Sequence, residues 1–498
     1  MSGMQPDGAM ITGMILIGVG LIAALYGLLP RQSGRIQERA SEIRVRALDD
    51  ARIRPQHVAM LLIISVAVVI DVMKPAALAF VAPGMVKEYG LRAATNPHGH
   101  IPVSWLPLSG IGGTVIGSAL WGWLADRIGR RSSILFAGLL FVTTSICGAM
   151  PGFSWNLLMC FLMGIGAGGM LPITFALMAE TIPARHRSWL MVLIGGGVAG
   201  VGYVLTSWLA GALTPHYSWR ILWLIGLPTG LLLIALNHWI PESPRFLFAS
   251  GRPDEAEKVL NHFGAAVVTG SKEIGPADEP VRDSFRQLFG RPFTGTSVAI
   301  IILAVGVGLI TYGFQLWIPT NLQHLGFTTV NSDYIVRNAA LIGLPISVVA
   351  TALYGFWSSK KTIIAAFGLL ALALCGFVIA GNSLAHDRVL LTALLVVPLS
   401  ATSLVAAVAT VYASEVYPTR IRSRGTGLAA GATKAGGVLI IALVVAATTT
   451  PSITFTALIG VVPVIIGIAA FAWTGRETRN RRLEDISLDE FALANEAA

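Results

Sequence analysis

The sequence predicts an all-α, polytopic membrane protein: two parallel six-helix bundles preceded by one extra transmembrane helix. Three observations carry this. The 498 residues are 54% hydrophobic and only 12% charged, with a mean hydropathy of +0.71, whereas an ordinary soluble chain is about 25% charged. The apolar residues come in unbroken runs of one or two membrane-spanning lengths. The basic residues recur on every second connection between those runs.

The spans follow in order. Each needs about 20 mostly apolar residues. Residues 8–30 carry no charge, and neither do 338–359, 362–386 and 389–414. The run 132–179 holds two spans with a break at Pro151-Gly152. Residues 188–219 hold one span and the start of the next, with a break expected at Thr214-Pro215, and 221–240 complete it. Residues 57–82 form a span with two internal charges, Asp71 and Lys74, and 104–124 and 295–317 give one span each. Residues 425–475 give two, interrupted by Thr448-Thr449-Thr450-Pro451 and carrying Lys434. The expected sum is one extra helix and then twelve. The corresponding segments are an extra helix within 1–30, a basic linker 31–56, a first bundle 57–240, a central connection 241–296 with short helices, a second bundle 297–475 and a tail 476–498.

Charge placement orients the chain. Of 35 Lys and Arg, all but Lys74, Lys87, Arg92, Arg220, Arg337, Arg388 and Lys434 fall in alternate connections and the tail. Positively charged loops stay in the cytoplasm, so these connections are expected to be cytoplasmic, the C-terminus inside and the N-terminus outside. The first helix has no basic residue before its apolar run and Arg31, Arg35 and Arg39 after it. A secretory signal has the reverse order, so an uncleaved helix is expected. The arginines of 31–56 suit anionic headgroups, or simply hold the linker inside. The net charge of +9 is thereby accounted for without nucleic acid. The composition excludes a soluble enzyme. His216, His238, His262, His324 and His386 are dispersed, and Cys147, Cys160 and Cys375 lie among apolar neighbours, so neither a metal centre nor a disulfide framework is expected, and no cofactor.

One internal repeat is plain. Glu180-Thr-Ile-Pro183-Ala-Arg185-His-Arg187 and Glu415-Val-Tyr-Pro418-Thr-Arg420-Ile-Arg422 share the pattern E-x-x-P-x-R-x-R, and glycine-rich stretches follow both. Parallel six-helix repeats with a central substrate path are a transporter plan.

The stretch Gly122-Trp-Leu-Ala-Asp126-Arg127-Ile-Gly129-Arg130-Arg131 resembles the loop between the second and third core helices of the major facilitator superfamily. The paired E-x-x-P-x-R-x-R motifs strengthen the resemblance. Pro241-Glu242-Ser243-Pro244-Arg245-Phe246-Leu247 is similar to the segment after the sixth helix of sugar-porter-like members. The end of the seventh, Trp317-Ile-Pro319-Thr320-Asn-Leu322, resembles aromatic-acid and niacin-type metabolite:proton symporters instead. The resemblance covers about residues 57–475. It implies alternating access, function as a monomer, and a gating role for Gly122, Asp126, Arg127, Gly129, Arg130, Arg131, Glu180, Arg185, Arg187, Glu242, Arg245, Glu415, Arg420 and Arg422. The alternative is that these arginines only set topology. In the second half, Gly355-Phe-Trp-Ser-Ser-Lys360-Lys361 lacks the Asp and Arg, so an asymmetric latch is expected.

Charges within spans narrow the function. An ionisable group at bilayer depth costs about 2.5–3.5 kcal/mol on insertion scales and is a functional candidate by default. Asp71 and Lys74 share a helix face three residues apart, and Pro75 is expected to bend the helix beside them. Asp71 is the candidate proton-coupling carboxylate, with Lys74 as its partner. Lys74 supplies a cation where the resemblance implies an arginine on the fourth helix, at the position of Cys160. The alternative is a structural pair and uncoupled transport. Candidate substrate contacts are Lys74, Tyr203, Tyr312, Gln315, Trp317, Thr320 and Lys434. For the aromatics, plain packing or an interfacial belt is the competing reading. Two lysines against one aspartate favour a small organic carboxylate, with an aromatic body as one form, moved with protons across the lipid bilayer, a sugar or polyol being the alternative. A sensor or assembly role, with a protein partner held by the extra helix, is a third reading.

Overall fold

The computed structural model describes residues 8–28, 51–93, 95–146, 150–265, 285–290, 293–385, 387–417, 422–447 and 452–478. The extra helix is α1 (Gly8–Leu28). The first six core helices are α2 (Pro55–Tyr89), α3 (Trp105–Ile128), α4 (Arg130–Thr144), α5 (Phe153–Thr181), α6 (Arg185–Tyr217) and α7 (Ile221–Trp239). Two short helices follow, α8 (Pro244–Ala249) and α9 (Pro253–Phe263). The second six are α10 (Thr294–His324), α11 (Thr329–Phe356), α12 (Ser359–Ala380), α13 (Arg388–Val416), α14 (Arg422–Ala447) and α15 (Ile453–Thr474). Among the described residues eleven helices are long and apolar enough to cross a membrane. α4, at 15 residues, and α1, whose described apolar stretch is Ile15–Ala24, occupy the other two expected positions. Only isolated β-bridges join the described residues outside helices.

The termini follow from sequence. Thr328, Ser358, Asp387 and Ser452 each accept hydrogen bonds from first-turn N–H groups of α11, α12, α13 and α15, satisfying donors that a helix leaves open. One expectation is corrected. The break placed at Thr214-Pro215 does not occur: α6 continues through Pro215 to Tyr217, and the turn is made at Ser218, with φ 71°. α2 runs as one 35-residue helix through Pro75. Two helices carry local π-turns, at Leu193–Val198 in α6 and Ile310–Phe314 in α10, the latter followed by a 3₁₀ turn at Gln315–Trp317. Such widened turns are frequent at functional sites.

The described residues pack as two units. One lies within Met1–Ala77, Ser109–Ser188 and His216–Glu279, the other within Leu78–Leu108, Trp189–Pro215 and Pro280–Ala498. In the first, α4 packs on α5 and α7, and α1 rests on α4. Its closest approach is a glycine seam. Gly113 and Gly117 of α3 face the carbonyls of Phe161 and Ile165, and Gly164 and Gly168 of α5 face those of Gly110 and Thr114. Small residues let helix backbones meet where lipid supplies no hydrophobic drive. Ser118 Oγ donates to Gly168 O at 2.7 Å and Trp121 Nε1 to Ile165 O at 2.7 Å across the same seam. In the second unit α10 packs on α14 and α15, and α11 and α13 pack on each other and on the π-turn of α6.

Candidate functional site

Within the second unit, α6 and α10 present a set of buried polar groups. Tyr203 packs its ring on Phe80, centroids 5.8 Å apart, and its hydroxyl lies beside Gln315 and within electrostatic range of Asp333. The Gln315 carboxamide oxygen accepts from Thr402 Oγ1 of α13 at 2.7 Å, which fixes the amide. Just beyond it on α10, Trp317 is 1% exposed, so it is an interior side chain and not part of an interfacial belt. The Tyr203 hydroxyl, Trp317 Nε1, Thr320 Oγ1 and Asn321 Nδ2 are buried and have no hydrogen-bond partner among the described residues. Every one of these groups can donate. Buried polar groups are nearly always paired, so these donors are suited to an acceptor-bearing molecule. The widened turn at Ile310–Phe314 includes Tyr312, which is half-buried. Lys434 is half-buried on α14, where Gly308 and Gly436 bring α10 and α14 into backbone contact.

The first unit holds Asp71 and Lys74, each 4% exposed. The Lys74 ammonium donates to Phe141 O at 3.4 Å and Ser145 Oγ at 3.3 Å on α4. Gly226 of α7 makes room for it, since a Cβ there would meet Lys74 Nζ. Lys74 thus reaches between α4 and α7 within the first unit. Cys160 is fully buried on α5.

The arginine-rich connections of the first unit form a network, and two glutamates of the second unit gather hydroxyl and N–H donors. Arg130 Nη1 lies 2.7 Å from Asp126 and its Nη2 3.4 Å from Glu180. Glu242 accepts from the Arg130 N–H at 2.7 Å and the Arg131 N–H at 3.4 Å, capping α4 from beyond the end of α7. Burial pushes the Glu242 carboxyl above its ordinary range, and the N–H groups of Ser243, Arg130 and Arg131 pull it back. Gly129 adopts φ 92° beside that carboxylate, a conformation and a clearance that suit glycine. Arg131 donates to the Asn237 and His238 carbonyls. Arg127 stacks over Trp123 at 3.8 Å, and Arg187 donates to Ile182 O at 3.0 Å. Arg185 is exposed, Arg245 half-buried, and Gly122 lies in the last two turns of α3. In the second unit Glu415 accepts from Tyr354 at 2.8 Å and Thr478 at 2.6 Å, and Glu477 accepts from the Ser359 N–H at 2.9 Å and from both Ser358 and Ser359 hydroxyls. Arg420 and the Arg422 side chain lie outside the described residues, as do most of the linker and the tail.

Sequence reading missed three groups. Glu477-Thr478 is the counterpart of Glu242-Ser243, set off by the same 235 residues that separate Glu180 from Glu415, so the repeat itself could have found it. Asn321 sits between Thr320 and Leu322, inside a motif already singled out. Asp333 was left outside the membrane because the uncharged run begins at residue 338. The capping Thr328 is the signal that the helix starts earlier.

The profile described as Major Facilitator Superfamily matches residues 60–441. The niacin transporter NiaP of Acinetobacter baylyi is 28% identical over 79% of this chain and 88% of its own. The inner membrane metabolite transport protein YgcS of Escherichia coli is 32% identical over 66% of this chain and 72% of its own. The 4-hydroxybenzoate transporter PcaK of Acinetobacter baylyi is 27% identical over 74% and 80%. Among solved structures, the proton:xylose symporter XylE bound to 6-bromo-6-deoxy-D-glucose superposes with a TM-score of 0.68 at 20% identity, covering 87% of this chain and 98% of that one. With a family profile spanning most of the chain, the paired arginine-rich motifs and the twelve core helices, the protein belongs to the major facilitator superfamily of membrane transporters.

Proposed function

We propose that the protein is a secondary active transporter that carries a small organic carboxylate, together with a proton, across the cytoplasmic membrane by alternating access. The observation that carries this is the row of open donors at Tyr203, Trp317, Thr320 and Asn321. A carboxylate is acceptor-only when ionised, and an aromatic body would suit the Trp317 and Tyr203 rings. Relatives named for niacin, 4-hydroxybenzoate and gallate support the same class. Asp71, buried on α2, is the proposed coupling carboxylate, because a buried acid can exchange its proton as its surroundings hydrate. The arginine-rich connections face the cytoplasm, the protein works as a monomer, and their charge networks break and re-form as the gate moves. A neutral polyol is the second reading, favoured by the Gln315 and Asn321 amides, which suit hydroxyl groups.

The test is uptake into proteoliposomes of nicotinate, 4-hydroxybenzoate and gallate against xylose and glucose, with and without an inward pH gradient. Saturable, gradient-driven uptake of a carboxylate is expected, and uptake of sugars alone overturns the reading. Asp71→Asn is expected to keep counterflow and lose gradient-driven accumulation.

A further inference from the structure

The first unit's charged groups do not exhaust the buried acids. Asp333, in the second turn of α11, is 2% exposed. Its Oδ1 has no hydrogen-bond partner, and among the described residues the carboxylate forms no ion pair. The groups around it are accounted for. The Tyr203 hydroxyl of α6 lies within electrostatic range of it. α10 brings the uncharged Gln315 next to Tyr203, and its titratable end residue His324 is exposed. Arg337 of α11 itself is held over the Tyr334 ring at 4.6 Å and hydrogen-bonded to Asn338. Arg388, opening α13, is stacked over Phe327 at 5.3 Å, and Glu415 closes α13 at its other end, bonded to Tyr354 and Thr478. α12 follows α11 after the turn at Trp357-Ser358 and carries Lys360 and Lys361 in its first turn.

We propose that Asp333 is a proton-binding residue of the transport cycle, protonated whenever an organic anion occupies the donors around Tyr203 and Gln315. This rests on the carboxylate reading above and deepens it. An ionised carboxylate with no partner is expensive away from water, so Asp333 is ionised while the site is open and hydrated and takes up a proton as the site closes around substrate. An anion arriving beside it adds like-charge repulsion, which disfavours the ionised form further. Anion and proton therefore bind together, and each raises the other's affinity by the same factor. When the site opens and hydrates, the O–H bond of the carboxyl breaks, its electron pair stays on the oxygen and the proton leaves to water with the substrate. In this arrangement Asp333 carries a proton beside the substrate in the second unit, in addition to the coupling role proposed for Asp71 in the first.

The experiment measures equilibrium binding of nicotinate and 4-hydroxybenzoate to the purified full chain from pH 5 to 8. In weak buffer a pH dye reports proton uptake on binding. The wild type is expected to lose affinity by up to about tenfold per pH unit as the pH rises, and to take up a proton with the anion. Asp333→Asn is expected to bind with an affinity that no longer varies with pH, and to take up none. Asp333→Glu should restore the slope. Tyr203→Phe should weaken binding yet keep the slope, which separates proton binding from substrate contact. An unchanged slope in Asp333→Asn overturns the proposal and leaves the transport reading standing. A wild type that binds without pH dependence or proton uptake overturns it even if Asp333→Asn does not fold. If neither carboxylate binds while sugars are transported, the substrate reading fails first and the proposal with it.

Discussion

At the scale of single residues, Lys74 shows how a buried cation is accommodated. Its ammonium is given a carbonyl, a hydroxyl and the space above a glycine. Gly226→Val should overpack that space and cost about 1–3 kcal/mol, read as a lower melting temperature in detergent. Combined with Lys74→Ala, a double-mutant cycle should give a coupling energy of about 0.5–3 kcal/mol. Glu242 gives a pH signature. Its carboxyl is raised by burial, so the folded protein binds this proton more tightly than the unfolded chain, whose glutamate titrates near 4.3. As the pH climbs through the window above that value, the wild type should lose stability relative to Glu242→Gln, and the difference should level off at higher pH. Thermal melts of both proteins across pH 4 to 7 check this. The placement of Asp71 and Lys74 in a span was legible because charge in an apolar run is conspicuous. The direction in which Lys74 points was not, because it depends on Ser145 and Gly226, distant in sequence and inconspicuous by type.

At the scale of elements, the α3–α5 seam separates two kinds of glycine. Gly117 meets the Ile165 backbone, whereas Gly112 on the same helix has open space around it. Gly117→Leu should destabilise by about 1–3 kcal/mol, while Gly112→Ala should gain up to about 1 kcal/mol from helix propensity; unfolding in detergent distinguishes them. Spans were readable from apolar runs alone, since a bilayer forces length and composition together. Helix ends were less so. Pro215 looks like a break, yet it lies inside a helix, and Asp333 was lost because Arg337 ended the uncharged run at residue 338. The π-turns at Leu193–Val198 and Ile310–Phe314 leave no periodic trace, because one extra residue per turn shifts the phase without changing the composition.

At the scale of the whole molecule, the duplicated plan was visible in Glu180 and Glu415, and the family in the loop from Gly122 to Arg131. The donor set was only partly visible. Tyr203, Gln315, Trp317 and Thr320 were named from their types, but that their neighbours leave them unsatisfied is a fact of packing. The extra helix α1 rests on α4 within the first unit. Deleting residues 1–50 is therefore expected to leave substrate uptake in proteoliposomes unchanged, and a loss of uptake with intact folding would assign the helix a role in transport. The glutamates that cap α4 and α12 have a further consequence. Glu242 and Glu477 each lie three residues beyond the last helix of their repeat, so the ribosome delivers each one only after all six helices of that repeat have been made. Each cap is therefore among the last groups of its repeat to be synthesised. A nascent chain stopped short of Glu477 would hold a capped α4 and an uncapped α12.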